Sequence, residues 1–475
     1  MDDQDIESRG SPSTPDDDVG EQKSGFQILV VLLILGSAVL FAVYGVYAQM
    51  EVIATDRTGK DFYGEFFHAR ALIERGASVY DHDTMIELAR QETGIGAIAP
   101  NVYPPLYSFL FAPIALLPLR QAQVVWLALN QLFLLGSIVG FWQIWKARTG
   151  VILPLAFPVI FYLLAGSIYH PTMEHLWYGQ SNLPILFLVT WAIYLIVKPR
   201  PIIVWSALLF AIAIGLKVFP AIFLPYFIVR KKFWLVLTVV AFIVGLVLIS
   251  LTVVDPKDYF RFPEVLASSM YVTGATRYGA SYSASSWLGG VMHGLNASVT
   301  ATRIVLILIT TLPYLWFLIM SARERQPDAE AQGAMKIREL LRLSEGFILI
   351  GFIMAQFWGH HLVMLLFPYF MVLAALVTGL HKYRLPIVSL TALSLLIVGL
   401  LSNNGIYVSR WFSTDTISSS IGVPLVLFSS FKFTGIVLLL FAVELAISGL
   451  KMQERTSASP PLKGIGYARS QDDYA

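Results

Sequence analysis

Residues 26–47 read FQILVVLLILGSAVLFAVYGVY, and residues 61–80, a short way on, read DFYGEFFHARALIERGASVY. The first is an uncharged apolar run that meets the requirement of about 20 residues for a helix crossing a bilayer. It is too long for the apolar part of a signal peptide, and the segment before it is acidic rather than basic. A retained first transmembrane helix is therefore expected. The second stretch has a helical period. Phe62, Phe66, Ala69 and Ile73 fall on one face, and Asp61, Glu65 and His68 fall on another. Such a helix is expected to lie along the bilayer surface rather than cross it. It would hold the Asp61 carboxylate beside lipid headgroups. The alternative is a bracing helix with Asp61 as its N-cap.

The rest of the chain agrees with a membrane class. Of 475 residues, 56% are hydrophobic and 13% charged, and the mean hydropathy is +0.67. Soluble domains carry about 25% charged residues, so the expected fold class is an all-α polytopic membrane protein. The net charge of +2 suggests no nucleic-acid partner. Without cysteine there is no disulfide framework, no thiolate metal site and no cysteine nucleophile.

Residues 1–24 are polar and acidic and read as a disordered cytoplasmic tail; from Lys451 the polar end reads the same way. Between them, 25–450 form one transmembrane domain. Basic clusters mark the cytoplasmic side: Lys198 with Arg200, Arg230-Lys231-Lys232, the charged 322–345 loop, and Lys382 with Arg384. With both termini cytoplasmic, the expected spans are 26–48, 103–119, 122–145, 182–197, 201–216, 218–229, 233–253, 304–321, 346–359, 361–379, 385–401 and 426–450. The bundle then has about 12–13 transmembrane helices. The stretch 151–169, interrupted by Pro154 and Pro158, is left as a broken or re-entrant element. Lys146 and Arg148 fall outside on this count, against the charge rule. The external side collects the first loop, 49–102, together with 169–182, 217–220, 254–303, the His360-His361 turn and 402–425. Nearly every unusual polar residue lies there, which points to a site.

Asp61 is the candidate general base, able to accept a proton from an attacking hydroxyl; Asp56 is its rival. Gln180 and Asn182, in HPTMEHLWYGQSNLP (170–184), can hydrogen-bond a sugar or phosphate, although Asn182 can also serve only as a helix cap. His170, Glu174 and His175 lack a further spaced ligand, so no metal site is expected. Lys217 stands alone in an apolar context, where a cation faces a cavity or an anionic partner, or else snorkels. Arg277 is a second candidate for phosphate. In FWGHHLVMLLFP, one of His360 and His361 can face a site while the other packs. Tyr103, Trp177, Tyr178 and Trp287 can stack on sugar rings or belong to an interfacial belt.

Taken in order, five segments resemble glycosyltransferase family 87, polyprenyl-phosphate-sugar-dependent enzymes of the GT-C fold. They are DFYGEFFHARALIERGASVYD, VYPPLYSFLFAPIALLP, GQSNLPILFL, AIGLKVFPAIFLPYFIVRKKFW and FWGHHLVMLLFP, spanning residues 61 to 370. The stretch AQFWG before the histidines and the loosely matching SASSWLGG depart from the family pattern. The resemblance implies a GT-C-type bundle with a catalytic aspartate in the first extracytoplasmic loop, which falls on Asp61. It implies a polyprenyl-phosphate sugar donor, such as polyprenyl-phosphate mannose or in some relatives a pentofuranose, a glycolipid or glycan acceptor and inversion at the anomeric carbon; no cofactor is expected. An inverting displacement needs one base opposite the leaving phosphate. Lys217, His360, His361 and Arg277 are then the expected phosphate groups, and Tyr103, Gln180 and Asn182 the sugar or acceptor groups. The implied setting is a bacterial inner (plasma) membrane with the site on the extracytoplasmic face. The competing reading is a transporter or flippase of lipid-linked sugars, but no paired internal repeat is visible. A nonenzymatic scaffold would leave Asp61, Gln180 and Lys217 unexplained.

Overall fold

The computed structural model describes residues 60–94, 96, 98, 100–272, 283–284, 287–288, 292, 298–324, 333–354, 357–380, 382–400 and 431–458. Among these residues every regular element is helical, and the chain is an all-α polytopic membrane protein. Five helices are long and apolar enough to cross a bilayer, six if one sharply bent pair counts as a single span. The expected span 26–48 lies outside the described residues, as do Asp56, Arg277, the whole 402–425 loop and both tail ends.

The first described helix, α1 (Lys60–Arg75), has Asp61 in its first turn and Arg75 in its last, both favoured by the helix dipole. It stops at Gly76, whose left-handed φ of +56° suits a C-terminal glycine. The expected apolar face is buried at Phe62, Phe66 and Ala69, while Ile73 is exposed. The expected polar face needs correction. Glu65 and His68 are also buried, because α2 (His82–Thr93) and α3 (Pro105–Ala115) pack against the helix. So α1 is roofed by protein rather than floating among headgroups.

Further contacts lock the first loop. Asp81 caps α2 by accepting from the Thr84 amide at 3.1 Å. Asp258, in α11 (Pro256–Val272), accepts from the Ser78 hydroxyl at 2.5 Å and the Val79 amide at 3.0 Å.

Within the expected span 103–119 the helix is only 11 residues long. This helix, α3, lies along α1. Phe111 packs edge-on to Phe62, and Arg70 donates to the carbonyls of Ala115 and Leu117 at 3.2 and 3.0 Å. The long helix α4 (Leu119–Thr149) is long and apolar enough to cross. Near its start Trp126 donates to the Gly179 carbonyl at 2.7 Å. At its far end Arg148 pairs with Glu339 of α13 (Gly333–Ile353), which also takes Arg230 at 3.3 Å. The unplaced stretch 151–169 holds a helix of 12 residues. Helix α5 (Ala156–Ser167) runs back beside α4, with Trp142 donating to the Leu153 carbonyl at 3.2 Å and Leu134 lying against Gly166. Through Glu339, Arg148 sits with Arg230, one of the basic residues expected on the cytoplasmic side.

After α5 the chain forms α6 (His170–Tyr178), turns by 116° and enters α7 (Asn182–Val197). Helix α8 (Ile203–Leu216) packs on α7, and α10 (Phe233–Ser250) packs on α8. Between α8 and α10 lie a 3₁₀ turn (Phe219–Ile222) and α9 (Phe223–Val229). The outer helices α10 and α12 (Val299–Arg323) expose Leu237, Val244, Leu248, Ile307 and Leu312, as lipid-facing surfaces do. By contrast the 3₁₀ segment Gly359–Leu365 and α14 (Leu366–Val377) are buried at the centre. Helix α15 (Arg384–Leu395) and the last helix, α16 (Phe431–Ala458), pack together beyond them. Helix α16 continues past Lys451, where a disordered tail was expected to begin. At the basic end Arg342 meets Glu345 at 2.6 Å and Glu444 at 2.9 Å, tying α13 to α16.

Candidate active site

The site begins at the bend between α6 and α7. Gly179 has φ +67°, and a Cβ there would stand 2.6 Å from the Phe62 Cβ. Only glycine lets α1 approach this closely. Gln180, next in the chain, is thereby set against the first turn of α1.

From Gln180 the contacts form a chain. Its Nε2 donates to Asp61 Oδ2 at 2.6 Å. Its Oε1 accepts from Lys217 Nζ at 2.7 Å and, more distantly, from the Tyr103 hydroxyl at 3.4 Å. Lys217 Nζ also donates to Asn182 Oδ1 at 3.1 Å, and Asn182 Nδ2 donates to the His360 carbonyl at 3.2 Å. The Lys217 ammonium lies 4.8 Å from the centre of the Tyr103 ring, which stacks in turn on Tyr107. Five separated segments thus meet.

The structure therefore gathers Asp61, Tyr103, Gln180, Asn182, Lys217 and His360. Lys217 is buried and held by three groups, so it does not snorkel to water. Asn182 spends its side chain on Lys217 and His360, and no side-chain cap forms at the start of α7. The histidines divide their roles. His361 Nδ1 accepts from the Trp358 amide at 3.0 Å and its ring stacks on Phe357, so it builds the turn. His360 stands beside Tyr178, and its Nδ1 has no hydrogen-bond partner among the described residues. His175 is turned to Asn130 at 2.9 Å. His170 and Glu174 approach to 3.7 Å, and no third His, Cys, Asp or Glu joins them as a metal-binding group among the described residues. Trp177 is exposed, and Trp287 packs on Phe433, away from these contacts.

The placement of two acidic residues was not expected from the sequence. Glu65 lies one turn after Asp61 and is buried; burial pushes its carboxyl up to about 8, against the pull of Lys217. Its i, i+4 spacing from Asp61 was the available signal. Glu174 presses its carboxylate against Gly359, leaving no room for a Cβ there. Nothing in the sequence links those two positions.

Residues 101–344 match the family model of glycosyltransferase family 87. This chain belongs to that family. The match contains Tyr103, Gln180, Asn182 and Lys217, whereas Asp61 precedes it and His360 follows it. One relative is the polyprenol-phosphate-mannose-dependent alpha-(1-2)-phosphatidylinositol pentamannoside mannosyltransferase of Mycobacterium tuberculosis (strain CDC 1551 / Oshkosh). It is 26% identical over 272 residues, 56% of each chain. Another is the polyprenol-phosphate-mannose-dependent alpha-(1-2)-phosphatidylinositol mannoside mannosyltransferase of Mycobacterium tuberculosis (strain ATCC 25618 / H37Rv). It is 29% identical over 157 residues, 31% of this chain and 36% of the relative. The chain thus spans about half the length of the first of these relatives and about a third of the second. No solved structure matches it.

Proposed function

We propose that this protein is an inverting glycosyltransferase that moves mannose from a polyprenyl-phosphate donor to a glycolipid or glycan acceptor on the extracytoplasmic face of a bacterial inner membrane. The observation that carries the reading is the Asp61–Gln180–Lys217 chain, which sets one carboxylate and one ammonium at a fixed separation through a single amide.

Each member has a task in such a displacement. The acceptor hydroxyl oxygen forms a bond to the anomeric carbon while its proton passes to Asp61. The bond from that carbon to the phosphate oxygen breaks, and polyprenyl phosphate leaves with the electron pair. The phosphate goes from one negative charge to about two. Lys217, held in a buried setting, offsets that growing charge. Tyr103 and Gln180 orient the ammonium, and His360 stands next to the same contacts to receive a phosphate or sugar hydroxyl. The mannosyl donor is taken from what the two relatives are named for; the chemistry itself requires only a sugar on a lipid phosphate.

The test uses purified protein with labelled polyprenyl-phosphate mannose and a membrane glycolipid fraction. Release of polyprenyl phosphate together with label in an α-linked product supports the reading. Movement of intact donor between leaflets without cleavage would replace it with transport.

A further inference from the structure

The chain Asp61–Gln180–Lys217 leaves one acidic group of the site without a task. Glu65 follows Asp61 by one turn of α1, so the two side chains share a face. It is 2% exposed, and among the described residues neither carboxylate oxygen has a hydrogen-bond partner of good geometry, the Tyr107 hydroxyl being the one donor that acts on it. A buried carboxylate ion in that condition is costly, since its charge has lost water and gained no well-placed donor.

The charged and titratable groups acting on Glu65 come from three directions. Lys217 lies beyond the end of α8, Asp61 stands on its own helix, and Tyr107 lies on α3. Tyr103, just before α3, feels its charge as well. The other helices packed on α1 contribute little. From α2, His82 acts on His68 instead, and from α6, His175 lies toward Lys217.

Charge bookkeeping shows what this arrangement does. Asp61 and Lys217 together carry no net charge. A phosphodiester donor adds one negative charge, and transfer then leaves the total unchanged, because Asp61 gains a proton as the phosphate gains a charge. If Glu65 were ionised as well, the donor would enter a site already negative, with two carboxylates competing for the one ammonium.

We propose that Glu65 is a positioning residue of this site that works as a neutral acid, leaving Asp61 the single ionised carboxylate and Lys217 available to the donor phosphate. This rests on the transferase reading above and adds to it a pH dependence of donor binding. The direction agrees with burial holding Glu65 protonated up to about 8.

The test separates Glu65 from Lys217, which also titrates on the alkaline side. Arginine keeps a charge through this range. Donor KM is therefore measured from pH 6.5 to 9.5 in Lys217→Arg and in Lys217→Arg with Glu65→Gln. In the first, KM is expected to rise by about tenfold per pH unit above about 8; in the second it stays flat. A rise of equal size in both, or none in the first, overturns the proposal. A second measurement covers the case in which arginine does not support turnover. The infrared spectrum of the wild-type protein at pH 7 should show a protonated-carboxyl component, isolated as the difference between wild type and variant, that vanishes in Glu65→Gln and persists in Asp61→Asn. Its absence from the wild type, or its survival in Glu65→Gln, overturns the proposal. The infrared measurement needs no turnover. Failure of the transferase reading would instead appear as a wild type that cleaves no donor with the band intact.

Discussion

Asp61 and Lys217 are joined through one side-chain amide, with Gln180 Nε2 at 2.6 Å from the acid and Oε1 at 2.7 Å from the ammonium. The two ends of an amide are different, one a donor and the other an acceptor. A carboxylate on one side and an ammonium on the other allow only one orientation. The amide keeps the opposite charges from collapsing into a direct pair. Each remains available for a substrate, the acid to a hydroxyl and the ammonium to a phosphate. This relationship is the basis of the first two predictions.

Asp61→Asn keeps shape and hydrogen bonding but cannot take a proton. A positioned base contributes about 10²–10⁴-fold, and kcat should fall by that factor while labelled donor still binds. Asp56→Asn, made in parallel, should retain most activity. Normal turnover by Asp61→Asn would remove the base assignment, and a collapse confined to Asp56→Asn would move it upstream.

Lys217→Ala removes hydrogen bonds from a charged donor, interactions of about 1.5–3 kcal/mol. Donor KM should rise by roughly 10- to 100-fold, the equivalent of that energy. Lys217→Arg should restore part of the loss, its flat fork fitting the pocket less well than an ammonium. An alanine variant with an unchanged donor KM would show that the buried cation only holds Gln180 and Asn182.

Gly179→Ala places a methyl 2.6 Å from the Phe62 Cβ in a left-handed conformation. Pushing α1 from the bend should cost about 1–3 kcal/mol and lengthen the Gln180–Asp61 contact. Thermal unfolding in detergent and the transfer assay should both report the change. Gly245→Ala, with nothing within 4 Å of the added methyl, should be neutral or slightly stabilising in the α10 helix.

Stability should depend on pH in two opposite limbs. Burial pulls His68 down to about 3 from an ordinary 6.5. Between those values the unfolded chain binds a proton that the folded chain refuses. That contribution is full above about 6.5 and lost as pH falls, at up to about 1.4 kcal/mol per unit. Glu65, raised from 4.5 to about 8, behaves in reverse. Its contribution is full below about 4.5 and lost as pH rises through 8. Melting temperatures should therefore plateau between the two ordinary values, 4.5 and 6.5. His68→Gln should flatten the acid limb and Glu65→Gln the alkaline one. A variant whose curve retains its limb would reassign that limb to another group.

Because the chain has no cysteine, single cysteines report topology cleanly. Lys146→Cys and Gln332→Cys should react with an impermeant reagent from the same face, since Arg148 and Arg230 share Glu339. Asp83→Cys, exposed on α2, should react from the opposite face. Labelling of Lys146→Cys together with Asp83→Cys would support 103–119 as a crossing.

Much of this could be read in advance because it is local. Long uncharged runs such as 122–145, 233–253 and 361–379 announce buried or membrane helices, since an unpaired backbone cannot survive in lipid. Lys217 stood out as a cation in apolar surroundings, Asp61 as the acid that opens an amphipathic helix, and Gln180 and Asn182 as polar residues at the start of an apolar run. The expectation of a crossing at 103–119 had an equally local origin. Hydropathy measures how apolar a segment is, not whether it crosses, and α3 is apolar because it packs along α1.

The amino-acid order therefore determined the class of the protein, the positions of its long helices, the family it belongs to and the identities of its isolated polar groups. These follow from transfer of side chains out of water, residue by residue. The tertiary structure decided what depends on distant partners. It paired Arg148 with Glu339 and set Arg70 on the end of α3. It buried Glu65 and His68 on what read as a wet face, because α2 and α3 cover them. It also brought Asp61 to Gln180 across 119 residues and Lys217 to Gln180 across 37. Periodicity does not encode such meetings; they arise from the packing of helices whose approach is set at positions such as Gly179.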